Sequence, residues 1–149
     1  MSMKILVCSD SHGNNQALEE IVKKYPHCDL YLHAGDSESE ELALFPFETV
    51  KGNRDIGFEM FERRIFSTPY GKILMQHMPQ IPYAIIHKYQ IKIFIYGHTH
   101  RRYYGEEDGL IILNPGAITF PRDQYDLSFA ILNIDDGHVD VEFHSLLDK

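Results

Sequence analysis

Four stretches of the chain share one pattern: an apolar, β-prone run, then a small residue or glycine, then a polar side chain able to bind a metal. They are Ile5-Leu6-Val7-Cys8-Ser9-Asp10, Leu30-Tyr31-Leu32-His33-Ala34-Gly35-Asp36, Val50-Lys51-Gly52-Asn53 and Ile93-Phe94-Ile95-Tyr96-Gly97-His98. Each predicts a strand with its polar residue at the exit. Between the first two, Ala17, Leu18, Ile21, Val22 and Tyr25 recur at helical spacing within Asn14 to Tyr25, and Pro26 blocks continuation, which predicts a βαβ unit.

Further along, Ser37-Glu38-Ser39-Glu40 reads as a capping-box start for a short helix carrying Leu42 and Leu44 before Pro46, a second crossover. Pro82 suits a first helical turn, and Ile81, Ala84, Ile85 and Tyr89 form an apolar stripe behind it. Ile65-Phe66-Ser67-Thr68 and Lys72-Ile73-Leu74-Met75 flank Pro69-Tyr70-Gly71 as a hairpin. In the last third Val139, Val141 and Phe143 alternate with Asp140, Glu142 and His144, and Asp135-Asp136-Gly137 reads as a turn, so mainly antiparallel strands are expected there. The fold class expected is α/β (α+β), with helices covering two packed sheets.

Size and composition narrow the function classes. The 149 residues, 44% hydrophobic and 24% charged, predict a single domain over residues 1–149, with no linker or repeat to divide it. A net charge of -8 argues against general nucleic-acid binding. Cys8 and Cys28 have no C-x-x-C spacing and are expected as buried free thiols. With no secretory leader and no apolar run near the roughly 18 residues that span a bilayer, the expected location is cytoplasmic and no membrane partner is expected.

The carboxyl ends of parallel strands gather at one edge, where ligands bind. Successive side chains of extended backbone alternate, so Asp10 and His12, and likewise His98 and His100, would share a direction if that geometry persists past the strand. Together with Asp36, Asn53 and His77 this makes seven oxygen and nitrogen donors, more than one first-row divalent ion takes. Two ions bridged by a carboxylate fit better, and such a pair, roughly 3.5–4 Å apart, commonly serves phosphoryl transfer.

The motifs Asp10-Ser11-His12-Gly13, Gly35-Asp36, Gly52-Asn53-Arg54-Asp55, His77 and Gly97-His98-Thr99-His100 resemble, in order and spacing, those of the calcineurin-like metallophosphoesterases, in their compact bacterial and archaeal branch. Asn114-Pro115-Gly116 resembles a further element of that branch. The resemblance implies a four-layer α-β-β-α sandwich of two mixed sheets flanked by helices. It implies that Asp10, His12, Asp36 and His100 hold one metal and Asp36, Asn53, His77 and His98 the other, with Asp36 bridging. Manganese is the metal it suggests first, with zinc, iron, nickel or magnesium as alternatives. The expected activity is phosphodiesterase hydrolysis of a small phosphodiester by a metal-bridging hydroxide. A noncatalytic protein-interaction scaffold, as in a retromer subunit of similar fold, is the competing reading. Whether the chain forms a homo-oligomer is left open.

Where relatives carry a histidine that protonates the leaving group, this chain has Arg54, always charged and suited to clamping phosphate oxygens. Asn53, Arg54 and His98 form the expected catalytic set, with Arg54 binding substrate. Asp55 could orient a neighbour or be an exposed turn residue. His77 stands among bulky neighbours, where relatives have a glycine beside it. His27, His33, His87, His138 and His144 read as surface or structural histidines, and Arg101-Arg102-Tyr103-Tyr104 and Pro121-Arg122 as solvated segments, with the border of a substrate groove as the alternative.

Overall fold

The structure, a computed structural model, describes residues 2–124 and 126–146. In chain order the elements are β1 (Met3–Cys8), α1 (Asn15–Lys24), β2 (Leu30–His33), a 3-10 helix (Glu41–Leu44), β3 (Phe47–Thr49), β4 (Arg63–Ser67), β5 (Lys72–Gln76), α2 (Tyr83–Lys88), β6 (Ile91–Ile95), β7 (Arg102–Glu107), β8 (Leu110–Pro115), β9 (Ser128–Ile134) and β10 (Val139–Ser145). Among the described residues the strands form two five-stranded sheets, ordered β10-β9-β1-β2-β3 and β4-β5-β6-β8-β7. Both are mixed. In the first, β1, β2 and β3 run parallel while β9 and β10 run antiparallel. In the second, β5, β6 and β8 run parallel between antiparallel edges β4 and β7.

The layers follow from the alternation of side chains across each strand. Ile5, Val7 and Leu32 face Ile73, Met75, Ile93 and Ile95 between the sheets. Leu6 and Cys8 point the other way, against Ala17, Leu18 and Ile21 of α1. Leu74 and Phe94 likewise pack on Ile86 of α2. The order helix, sheet, sheet, helix is the four-layer sandwich the motifs implied. Helix α1 begins where Asn14 accepts the Ala17 amide through its side chain. Both expected hairpin turns form, closed by Thr68 N–H to Gly71 O and by Asp135 N–H to His138 O. Among the described residues no helix is long and apolar enough to cross a membrane.

Several expectations are corrected. The strand expected at Val50 lies earlier, at Phe47–Thr49, because beyond it Lys51 turns away to donate its amide to Phe61 O. The capping box does not form, since the Glu38 amide goes to Asp55, the Ser37 hydroxyl bonds within its own loop and the Ser39 hydroxyl also engages the Asn15 side chain. The 3-10 helix therefore starts at Glu41, with no side-chain cap, and turns Leu42 to solvent at 89% exposure while burying Leu44 at 2%. Of the stripe at α2, Ile81 and Ile85 pack partly buried against the core, but the buried residue is Ile86, and Ala84 and Tyr89 are exposed. The last third is mainly antiparallel, as expected, through β7, β9 and β10, although β8 also joins β6 in parallel. Cys28 is only half-buried, while Cys8 is buried.

His33 ends β2 fully enclosed, as a structural histidine. Its Nδ1 accepts the Gly35 amide at 3.1 Å, which leaves the proton on Nε2 for donation to Ser11 Oγ at 2.9 Å. Burial pushes its pKa down to about 4, with opposing help from the nearby Asp10 charge too small to restore it.

Two outcomes are expected from these features. Leu44→Ala should lower unfolding free energy by about 2–4 kcal/mol in urea titrations, and Leu42→Ala by less than about 0.5 kcal/mol; equal effects would refute the assigned phase of the 3-10 helix. The unfolded chain protonates His33 near 6.5, the folded chain only near 4. Its contribution, of the order of 3 kcal/mol, is therefore complete above pH 6.5 and drains away as pH falls towards 4. His33→Asn, which retains an acceptor but cannot titrate, should flatten the stability profile in that window.

Candidate metal centre

The exits of β1, β2 and β6, with the loop after β3 and the residue after β5, meet at one end of the seam between the sheets. Continuation of the β1 and β2 ladder brings them together: Asp10 N–H donates to Gly35 O at 3.0 Å and His12 N–H to Asp36 O at 2.9 Å. From the other sheet, Gly97 N–H donates to His77 O, and His98 N–H reaches Asp10 Oδ2 at 3.1 Å. Five of the expected donors are thereby held by hydrogen bonds between elements.

The extended geometry does not persist past the strands. Asp10, His12, Asp36, His98 and His100 all adopt left-handed backbone, with φ between 47° and 68°. Asp and His are among the residue types that tolerate this region best. Convergence thus comes from sharp left-handed turns at each exit, where strain is characteristic of functional loops.

Among the described residues the His and carboxylate donors form two compact groups, Asp10 with His12 and His100, and Asp10 with Asp36 and His77. In each group the donor atoms lie within 4.8 Å of one another. The carboxylate common to both is Asp10, where the resemblance implied Asp36; Asp36 turns Oδ1 to the Arg54 amide at 2.7 Å and Oδ2 to His77 Nε2 at 3.2 Å. Asn53 joins through Oδ1, 3.1 Å from His98 Nδ1. Arg54 is brought to the rim by its backbone, and its side chain is exposed.

Three imidazoles are oriented alike. His77 Nδ1 faces Ala34 O at 2.8 Å, His100 Nδ1 faces Phe120 O at 2.8 Å and His12 Nδ1 faces Glu38 Oε1 at 3.0 Å. Each of these acceptors calls for a proton on Nδ1, so the Nε2 lone pairs point inward. There, Nε2 of His12 and His100 lie 3.3 Å apart, and Asp10 Oδ1 lies 3.3 Å from His100 and 3.8 Å from His77. Asp10 Oδ1 and His77 Nε2 are buried without a hydrogen-bond partner. A cluster of inward lone pairs with two such atoms at its heart fits divalent cations bound by oxygen and nitrogen.

The electrostatics agree. Burial alone would raise the Asp10 carboxyl, but the contacts with His100, His77 and Ser9 outweigh it and hold the pKa below the ordinary value. Asp36 is likewise lowered, burial being overcome by His77 and the Arg54 amide. Burial lowers His77, yet Asp36 and Asp10 more than offset it; His100 is raised chiefly by Asp10. His98 is lowered by burial and by His77. Anionic carboxylates surrounded by imidazoles are the state a cation would meet.

Some of the supporting roles were not foreseen. Asp55 is buried, and it is neither a turn ornament nor a partner of a histidine. Its two oxygens accept the amides of Asp36, Gly52 and Glu38 at 2.7–3.0 Å, tying two donor loops together. Glu38, read as part of a cap, holds His12 instead. Asn114 is buried and donates to Gly97 O and Thr99 Oγ1, bracing the His98 to His100 turn. Its place in Asn114-Pro115-Gly116 was the available signal. His77 owes its position to Gly35, where any Cβ would come within 2.9 Å of the His77 side chain. At Gly52 a Cβ would strike the Asp36 backbone nitrogen at 2.4 Å. Of the other residues weighed, Arg102 packs its guanidinium over Phe143 in the fold, while His27, His87 and His138 are exposed and His144 is half-buried.

Comparison with known proteins gives a consistent picture. The model of the calcineurin-like phosphoesterase superfamily domain matches residues 3–137. A probable metallophosphoesterase of Bacillus subtilis, YsnB, is 31% identical over 153 residues, covering 95% of this chain and 90% of its own length. The crystal structure of a predicted phosphoesterase from Streptococcus pneumoniae superposes with a TM-score of 0.88 at 29% identity, covering 98% of this chain and 91% of that one. A single mutant of Vps29 from Entamoeba histolytica shares the fold, with a TM-score of 0.70 at 23% identity over 95% of this chain and 98% of its own. By its motifs, its two-sheet sandwich and these matches, the chain belongs to the calcineurin-like phosphoesterase superfamily.

Proposed function

We propose that this chain is a two-metal phosphodiesterase acting on a small phosphodiester. The observation that carries the reading is the pair of buried atoms without hydrogen-bond partners, Asp10 Oδ1 and His77 Nε2, in the midst of the inward-facing donors. Asp10, His12 and His100 would hold one divalent ion, and Asp36, Asn53, His77 and His98 the other, with the Asp10 and Asp36 carboxylates between them. The mixed oxygen and nitrogen set suits manganese, zinc or iron. Such a pair supplies Lewis acidity towards phosphoryl oxygens and lowers the pKa of water.

The chain's own residues do the positioning. Glu38, Ala34 and Phe120 fix three imidazole rings by accepting from Nδ1. Asn53 and His98, in mutual contact at 3.1 Å and partly open to solvent, lie on the side a substrate approaches. Arg54 follows Asn53 directly, and its exposed guanidinium would clamp non-bridging oxygens of the scissile phosphate. An arginine cannot release a proton at working pH, so protonation of a poor leaving group is not supplied at this position. This favours substrates whose leaving group departs as a stable anion. The scaffold reading is weakened by the completeness of the donor set.

Two experiments test the assignment. With added manganese the wild type should hydrolyse bis-p-nitrophenyl phosphate, and Asp36→Asn should lower kcat by more than about a hundredfold; a wild type inert with every divalent ion would favour the scaffold. Aryl phosphodiesters should be cleaved far faster than alkyl ones, and Arg54→Ala should raise KM for the aryl ester by about tenfold. Equal rates on aryl and alkyl esters would remove the argument from the missing proton donor.

A further inference from the structure

Beside Asn53 and His77 the surface sinks into a depression of about 350 Å³, lined also by Lys51, Glu62, Arg63, Gln76 and Met78. Its volume lies in the range of small-ligand sites, and it opens directly from two of the proposed metal ligands. Its charge is unusual for this protein: Lys51 and Arg63 against a single Glu62, in a chain whose net charge is -8.

Arg63 is held in place by an ordered chain of bonds. It stands opposite Gln76 across the β4–β5 ladder. The Gln76 carboxamide, on a residue only 4% exposed, donates both Nε2 protons, to Met78 O at 2.7 Å and to Gln80 O at 2.9 Å. That fixes which end of the amide faces outward, and Oε1 accepts Arg63 Nε at 2.8 Å. The guanidinium is anchored by Nε alone, and among the described residues its two terminal nitrogens have no acceptor. The next residue along β4 shows the contrast: Arg64 is fully engaged by Glu41, Glu48 and Thr49 O. Lys51 is also fixed by its backbone, to Phe61 O, with no carboxylate among the described residues on its ammonium. A planar fork with two open donors beside a second cation matches an anionic oxygen group.

We infer that Lys51 and Arg63 form a specificity subsite for a second anionic group of the substrate, a carboxylate or phosphate-type terminus on the half of the ester that lies away from the scissile phosphate. The inference rests on the phosphodiesterase reading above and names its substrate class: esters carrying a further negative charge, rather than neutral diesters. Arg54 and the metals engage the scissile group, while the Gln76-anchored Arg63 and Lys51 engage the distal one.

The test uses three p-nitrophenyl phosphodiesters whose second alcohol ends in a carboxylate, a phosphonate or a carboxamide, read by nitrophenolate release with manganese-loaded protein. For the wild type, kcat/KM should be about tenfold higher for the anionic esters than for the carboxamide ester. The better of the carboxylate and phosphonate esters identifies the type of terminus. Lys51→Met and Arg63→Gln should each shrink that preference severalfold through KM, and the double variant should bring it to about one. Arg63→Lys should restore part of it, and Glu62→Gln should enlarge it. No preference in the wild type, or variants that slow all three esters equally, would overturn the subsite while leaving the phosphodiesterase reading intact. Absence of metal-dependent turnover on all three, and on bis-p-nitrophenyl phosphate, would overturn that reading and the subsite with it.

Discussion

The structure is organised around a juxtaposition that is unfavourable by itself. Two carboxylates and several imidazole lone pairs meet at the end of the sheet seam, with Asp10 Oδ1 and His77 Nε2 sealed from water and from any hydrogen-bond donor. Buried polar atoms in that condition normally destabilise a fold. Here the surroundings enforce it. Asp10 Oδ2 is held by Ser9 Oγ and His98 N–H, which leaves Oδ1 no direction but inward. Asp55 locks the loops of Asp36 and Gly52 from behind, and backbone carbonyls turn the histidine rings.

Close approach of backbone makes this crowding feasible. Gly35 leaves the space that the His77 ring fills, and Gly52 lies against the Asp36 backbone. The recurrent sequence of apolar run, glycine and polar residue therefore has a mechanical meaning. The glycine lets one donor loop nest against another, and after Gly35 and Gly97 the polar residue, Asp36 or His98, turns left-handed into the space so created.

This explains how much could be read from the chain alone. Strand-forming runs, the α1 stripe and the hairpins depend on local periodicity and appear nearly in place. The donors were legible as a set because each follows a strand. Their convergence was attributed to extended backbone, whereas it arises from left-handed turns, which periodicity does not encode. Short elements were read least well: Ser37 to Glu40 look like a cap, but Glu38 and its neighbours are drawn off by Asp55 and His12, partners 17 and 26 residues away. Asp55 reads only as an orienting neighbour or an exposed turn residue for the same reason, since its role exists only once three amides from two separate loops surround it.

The donors are divided between the sheets. Asp10, His12 and Asp36 come from the edge of one, His77, His98 and His100 from the edge of the other, and His98 touches Asp10 across 88 residues of chain. An ion held by both sets would act as a clasp: it would bind only the docked pair of sheets and be lost when they part. Occupancy and cohesion of the sandwich would then be one equilibrium seen from two sides, with the available cation concentration setting how firmly the halves stay closed.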